Sequence, residues 1–260
     1  MPENMRIAAW NVNSVKARMP NITAWLETAR PDVLLLQEIK CESDAFPRME
    51  FAALGYRAAV AGQKAYNGVA ILSRETPEDV LDSLPGDPGD TQARYIEATV
   101  QGVRVASIYL PNGNPVGSEK YAYKLDWMKR LKDRIEELLE KEMSAVLGGD
   151  YNVIPSPEDV YDPEGWEDDA LYRPETRAAF RELIHTGMTE AFRALHPHQK
   201  HAYTFWDYQG GSWQRDNGLR IDHFLLSPEA VDRMTKCFID RTPRGQDKAS
   251  DHAPVVLDIA

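Results

Sequence analysis

Short polar side chains stand where the apolar runs of this chain end. Asn11 follows "IAAW", with Asn13 two positions on. Glu38 follows "VLLLQ", and Tyr109 closes "VRVASIY" just ahead of Pro111-Asn112-Gly113. Asp150 and Asn152 follow "AVLGG". Asp222 lies inside "GLRIDHFLL", and Asp251-His252 precede "PVVLDI". Each alone has an ordinary explanation. Asp and Asn favour turns because their side chains bond the local backbone, an Asp-His before a strand is often a cap, and a glutamate at a strand end is commonly solvated. The set is less ordinary. Strands converging in a sheet would gather all of these groups along one rim.

A carboxylate beside buried strands costs free energy unless it is paired or bound to a metal. Four such acids could meet: Glu38, Asp150, Asp222 and Asp251. Few basic residues stand at matching strand ends to neutralise them, so a divalent cation is the economical partner. Carboxylate and carboxamide oxygens suit Mg2+, with Mn2+ possible, better than zinc. Zinc wants several His or Cys ligands, and only His252 has neighbours of the right kind. Oxygen ligands around a hard cation, an Asp-His couple, a tyrosine and asparagine amides fit phosphoester hydrolysis. The cation polarises a phosphoryl oxygen or stabilises the leaving alkoxide. A carboxylate orients or deprotonates water. Imidazole, phenol and amide groups donate to the developing charge.

The elements that must position these residues are legible from periodicity. Strands are expected at Met5–Trp10, Val33–Leu36, Val69–Leu72, Tyr95–Val100, Val103–Tyr109, Ala145–Leu147, Ile221–Leu226, Cys237–Arg241 and Val255–Ile259. Gln101-Gly102 reads as a tight hairpin, residues 84–92 as a loop, and Gly148-Gly149 as a turn that presents Asp150. Ile22, Trp25, Leu26 and Ala29 recur at helical spacing after Pro20. Phe46–Leu54 reads as a short helix ending at Gly55. Leu125, Met128, Leu131, Ile135, Leu138 and Leu139 mark one long amphipathic helix, and Glu175–Thr186 another. Many short strands with a few helices suggest two packed sheets with helices outside. No linker interrupts the pattern, so residues 1–260 are expected to form a single catalytic domain.

The whole-chain properties set bounds. At 260 residues with 43% hydrophobic content, the chain can bury a substantial core. A net charge of −11 points weakly away from nucleic acid, because phosphate contacts need Lys and Arg. A local basic rim can still coexist with an acidic body. Cys41 and Cys237 form no CxxC pattern and read as reduced cytosolic thiols. No apolar run approaches the length of a membrane span, and "MPENMRIAAW" carries no signal-peptide pattern. A cytoplasmic protein is expected.

"WNVNSVKAR", "DVLLLQEIK", "NGVAILS", "IYLPNG", "GGDYNV", "TFWDY", "NGLRIDHFLLS" and "SDHAPVVLDI" occur in this order. The chain resembles the exonuclease III family of apurinic/apyrimidinic (AP) endonucleases, from about Met5 to Ala260. The resemblance implies a four-layered α/β sandwich, two central mixed β-sheets flanked by helices. It implies Mg2+-dependent cleavage of duplex DNA on the 5′ side of abasic sites, with 3′-to-5′ exonuclease and 3′-end repair activity, by an expected monomer. By the same resemblance Glu38 is the principal metal ligand, with Asn11 and Asp251 as partners, directly or through water, and Asn13 nearby. Asp150 positions or activates the attacking water and Asn152 helps to hold it. His252 is the phosphate-binding imidazole, oriented by Asp222, and Tyr109 contacts the scissile phosphate. Asn112, Phe205, Trp206, Leu219 and Ile221 are the expected substrate contacts. Phe205, Leu219 and Ile221 match positions lining a small pocket for a flipped-out abasic sugar, which selects by size. Phe205 and Trp206 in "AYTFWDY" also fit core aromatics.

Some features depart from the pattern. Tyr151 stands where Phe or Trp is usual, Leu219 where some relatives have Trp, and no Arg follows "YLPNG" before Lys120. These bear on the balance of activities, not on the chemistry. Lys64, Lys120 and Lys124 are candidate phosphate contacts, with solvated surface lysines as the plainer reading. Two other functions fit less well. A phosphatase of inositol phosphates or another small phosphoester typically carries Trp-Thr-Asp-Arg where this chain has "GLRIDHF". A catalytically weak nucleic-acid-binding module would have lost ligands that are present here.

Overall fold

The computed structural model describes residues 4–260; residues 1–3, part of the stretch read above for a signal peptide, lie outside it. Strands run Met5–Asn11 (β1), Val33–Gln37 (β2), Arg57–Ala61 (β3), Val69–Ser73 (β4), Glu78–Leu81 (β5), Tyr95–Val100 (β6), Val103–Tyr109 (β7), Ala145–Asp150 (β8), Thr189–Glu190 (β9), Asp222–Leu226 (β10), Met234–Ile239 (β11) and Val255–Ile259 (β12). The principal helices are Met19–Ala29 (α1), Arg48–Ala53 (α2), Glu119–Glu140 (α3) and Pro174–His185 (α4). The strands form two six-stranded sheets, ordered β11-β12-β1-β2-β4-β3 and β5-β6-β7-β8-β10-β9. Each sheet contains one parallel pair, β1 with β2 and β7 with β8. A parallel pair needs a crossover, and α1 and α3 supply the two.

The continuous apolar runs are explained by burial on both faces. Ile7, Ala9, Leu35 and Ile71 of one sheet meet Ile96, Val105, Val146 and Phe224 of the other in a shared core. The alternate residues Trp10, Leu34, Leu36 and Leu72 pack under Ile22, Trp25 and Leu26 of α1. On the far side Ile108, Leu147 and Leu225 pack under Trp127, Met128, Leu131 and Ile135 of α3 and Phe180 of α4. The result is the helix–sheet–sheet–helix sandwich that the resemblance implies. Gln37 and Ser107 stitch the sheets together: Gln37 Nε2 donates to Ser107 Oγ at 2.8 Å, and Ser107 Oγ to Leu36 O at 2.8 Å.

Three differences from the sequence reading are instructive. Gly148 and Gly149 are not a turn; β8 continues through them to Asp150. They are small because neighbours crowd them. A Cβ at Gly148 would lie 2.2 Å from a Phe224 ring carbon, and at Gly149, with φ +150°, 2.1 Å from Ile108 O. The strand expected at Cys237–Arg241 starts earlier, at Met234, and ends at Ile239. Short β3, β5 and β9 escaped notice because their residues are too few, or too polar, to show a period.

Candidate active site

Strand register builds the rim. Asn11 pairs with Gln37, so Asn11 and Glu38 leave the first sheet side by side. Tyr109 pairs with Asp150, and Asp150 with Asp222, so these three share the matching edge of the second sheet. Val255 pairs with Ala9, which brings Asp251 and His252 to the same end as β12 begins.

The side chains then close into one network. Asn11 Nδ2 donates to Glu38 Oε1 at 2.8 Å and to Asp150 Oδ2 at 2.9 Å, bridging the two sheets. His252 Nδ1 lies 2.9 Å from Asp222 Oδ2, and its Nε2 lies 3.7 Å from Asp150 Oδ2. The Asn152 backbone N–H donates to Asp150 Oδ1 at 2.9 Å, and its side-chain amide to Leu110 O at 2.9 Å. Asn13 Nδ2 donates to Asp251 Oδ1 at 3.2 Å. Asn13, Glu38 and Asn152 have φ of 46°, 49° and 47°. Left-handed backbone costs a non-glycine residue about 1 kcal/mol or more, and such strain concentrates at functional sites.

The electrostatics of the cluster are uneven. Burial would push the His252 imidazole down, but Asp222 and Asp150 outweigh it and raise it to about 10. Burial raises the Asp150 carboxyl, opposed by His252 and reinforced by Asp222 and Glu38. Glu38 goes the other way: burial would raise it, but the Asn11 hydrogen bond and the Lys40 charge bring it below its ordinary value. Burial raises the Tyr109 phenol well above its ordinary value, and the charges of Glu38 and Asp150 add to this.

A cavity of about 210 Å³ opens onto these groups. Glu38, Tyr109, Asn112, Asp150, Asn152, Asp251 and His252 line it together with Phe205, Leu219 and Ile221, which belong to one hydrophobic cluster. The Phe205 ring stands edge-on to His252 at 5.0 Å. A larger hollow of about 700 Å³ lies at the start of β1, around Arg6, Asp32 and Lys236. It is far from the carboxylate rim along the strand, and its size alone is no argument for chemistry.

The oxygen-rich donor set fits a hard divalent cation. Glu38, Asp150, Asp222 and Asp251 gather at one rim, and among the described residues the only lysine paired with any of them is Lys40, whose Nζ lies 3.1 Å from Glu38 Oε2. Single oxygen or nitrogen atoms of Asp150, Asp222 and His252 also fall within 4.8 Å of one another. The His252 Nδ1 is already engaged by Asp222, and the Glu38 and Asp251 side offers oxygens alone, so it is the better site for a hard cation. Asn11, expected as a partner ligand, accepts the Asn13 N–H on its amide oxygen at 3.0 Å, which leaves that oxygen a second lone pair, and its nitrogen braces the two carboxylates.

Two expected residues lie elsewhere. Trp206 is fully buried, edge-on to Trp213 and Tyr203, with Nε1 donating to Asp216 Oδ1 at 2.9 Å. It is a core aromatic and does not line the cavity. Lys124 is no surface lysine: it is fully buried, and burial lowers it to about 7 against the opposing pull of Asp150 and Asp169. Lys64 and Lys120 are exposed, as read from the sequence. Sequence reasoning missed Lys40 and the cavity-lining Asn114, Trp166, Asp169 and Leu171. A lone tryptophan in the polar stretch "YDPEGWEDD" was the available signal for Trp166.

Carboxylates, an Asp-paired histidine and a small half-apolar cavity at the edge of two stacked sheets define a phosphoester hydrolase of the two-sheet sandwich class. The chain belongs to the Endonuclease/Exonuclease/phosphatase family, whose model matches residues 8–252. Within it, the chain is 31% identical to exodeoxyribonuclease III of Haemophilus influenzae, over 96% of this chain and 98% of that protein. Its fold is similar to an AP endonuclease from Archaeoglobus fulgidus, with TM-score 0.94 and 37% identity over 98% of this chain and 99% of that one. It is also similar to a 3′ phosphatase from Neisseria bound to product DNA hairpin, with TM-score 0.96 and 39% identity over 98% and 99% of the two chains.

Proposed function

We propose that this protein is a DNA-repair phosphodiesterase. It cleaves duplex DNA on the 5′ side of abasic sites and acts on 3′ ends as exonuclease and repair enzyme, with Mg2+ as its cation. The observation that carries the reading is the Asp222–His252–Asp150 array, bridged through Asn11 to Glu38 beside a small cavity with an apolar wall. The kinships to an exodeoxyribonuclease, an AP endonuclease and a DNA-bound 3′ phosphatase support DNA as substrate.

Each residue has a role in this reading. Glu38 and Asp251 would hold the cation, which would supply charge neutralisation at the phosphoester. His252, kept cationic by Asp222, donates to a phosphate oxygen. Asp150 orients and deprotonates the attacking water, its basicity raised by burial. Asn152 and Asn11 fix the Asp150 carboxylate from two sides. Tyr109 and Asn112 donate to the phosphate. Phe205, Leu219 and Ile221 receive a sugar that lacks its base and exclude a full nucleotide.

The acidic net charge is compatible with DNA because cations gather locally. Arg18, Arg244 and Lys248 line a groove of about 390 Å³ with Tyr208. The Tyr208 hydroxyl in turn lies 3.4 Å from Asn13 Nδ2 at the rim. The test is nicking of a duplex carrying one abasic analogue, with and without Mg2+. The reading expects a nick 5′ to the lesion that requires the metal. Release of phosphate from inositol phosphates, with the duplex left intact, would overturn it.

A further inference from the structure

Lys124 sits one helical turn ahead of Met128, on the same buried stripe of α3 as Leu131 and Ile135. A lysine on that face must either reach solvent or find partners. Its side chain is fully enclosed. Nζ donates to Asn112 O at 3.0 Å and to Asn152 O at 2.6 Å. These carbonyls belong to the loops that follow β7 and β8. Gly113, with φ +88°, makes room for the stem: a Cβ there would lie 2.6 Å from Lys124 Cδ. The Asn112 side chain also reaches Asn152 Oδ1 at 3.4 Å, and the Asn152 N–H holds Asp150 Oδ1 at 2.9 Å. A single residue, Asn152, therefore stands between Lys124 and the carboxylate that orients water.

We propose that Lys124 is a positioning residue for the reaction. Its amino group clamps the loops after β7 and β8 to each other, so that Asn112, Asp150 and Asn152 face the phosphate in one arrangement. The inference rests on the functional reading above. Charge-assisted hydrogen bonds are the strong ones, and Asn152 holds a left-handed backbone that its surroundings must maintain. A flexible amino group suits this place because one group with several N–H donors must satisfy two carbonyls from different loops.

The test compares wild type, Lys124→Met and Lys124→Gln, each first checked for a cooperative thermal melt. Met keeps the buried stem without donors or charge, and Gln keeps an amide donor. On the abasic duplex at saturating Mg2+, turnover of Lys124→Met is expected to fall about a hundredfold, with KM within about threefold of wild type, the pattern of a small misplacement of reacting groups. Lys124→Gln should fall between the two. Amide hydrogen exchange without DNA should quicken at residues 110–114 and 150–153 in Lys124→Met and stay unchanged in β1 and β2. A folded Lys124→Met with wild-type turnover, or with its loss confined to KM, overturns the proposal. If Lys124→Met does not fold, Lys124→Gln against wild type decides by the same kcat and KM criteria. If wild type itself leaves the duplex intact, the functional reading fails. The exchange comparison then still decides whether Lys124 holds these loops, and unchanged exchange there overturns the clamp.

Discussion

Asp222→Asn separates catalysis from folding more directly than any other substitution in this site. The carboxylate holds His252 Nδ1 at 2.9 Å, and the ring's other nitrogen lies 3.7 Å from Asp150. A pair of unit charges at about 4 Å interacts by roughly 4 kcal/mol at an effective dielectric near 20. An asparagine oxygen can still accept the Nδ1–H, but without charge assistance such a bond has about half its strength. The imidazolium should therefore lose roughly 2–3 kcal/mol of support, and turnover should fall roughly 30- to 150-fold. Folding responds differently. Asp222 is buried, Oδ1 has no hydrogen-bond partner, and the residue sits opposite Asp150 in the β8–β10 pairing. Removing this charge relieves repulsion with Asp150 but leaves the buried imidazolium with one partner fewer, so the two effects offset in part and the melt should shift by less than the roughly 2–3 kcal/mol read in turnover. The assay is single-turnover nicking of the abasic duplex, with a urea melt of the same preparations. His252→Asn and the double variant complete a cycle. Because Asp222 acts through His252, the double variant should be no slower than His252→Asn alone. Additive losses, or a less stable Asp222→Asn that turns over normally, would refute the reasoning.

Glu38→Ala should raise the Mg2+ concentration for half-maximal nicking while leaving duplex binding in the absence of metal nearly unchanged; a metal titration and a gel shift check this, and full activity at limiting Mg2+ contradicts it. Gly148→Ala drives a methyl against Phe224 and should cost about 1–3 kcal/mol in a denaturant melt, largely recovered by adding Phe224→Leu; a wild-type midpoint for the single variant removes the packing account of the glycine. Buried Glu190 would be raised by burial, but Arg220 and His223 hold it down at about 2. A depressed carboxylate stabilises the fold above its unfolded value and loses that contribution as pH falls. The shift from near 4.5 is worth roughly 3 kcal/mol, so acid unfolding between about pH 4.5 and 2 should be shallower in Glu190→Gln; an identical acid limb in the two proteins would dismiss the linkage.

What the sequence revealed and what it hid divide along a physical line. A rim residue such as Glu38 or Asp251 is legible because a strand is an apolar run and its end is a change of polarity; both signals are local. Pairing register then does the rest, since parallel β1–β2 and β7–β8 deliver their last residues to one edge. The Gly148-Gly149 pair looks like a turn because the local signal of glycine is conformational freedom. Its actual cause is a Phe224 ring and the Ile108 backbone, neither nearby in sequence. Trp206 and Phe205 are adjacent aromatics in an irregular segment, and no period says which faces the cavity; that follows from the bridges of Phe205 to Leu219 and His252. Lys124 is the most telling case. Its type argues for solvent, while its helical phase, three and four residues before Trp127 and Met128, argues for the core. When type and phase conflict, burial of the charge costs too much free energy to persist without partners, so the conflict itself points to a site where something nearby is worth holding in place.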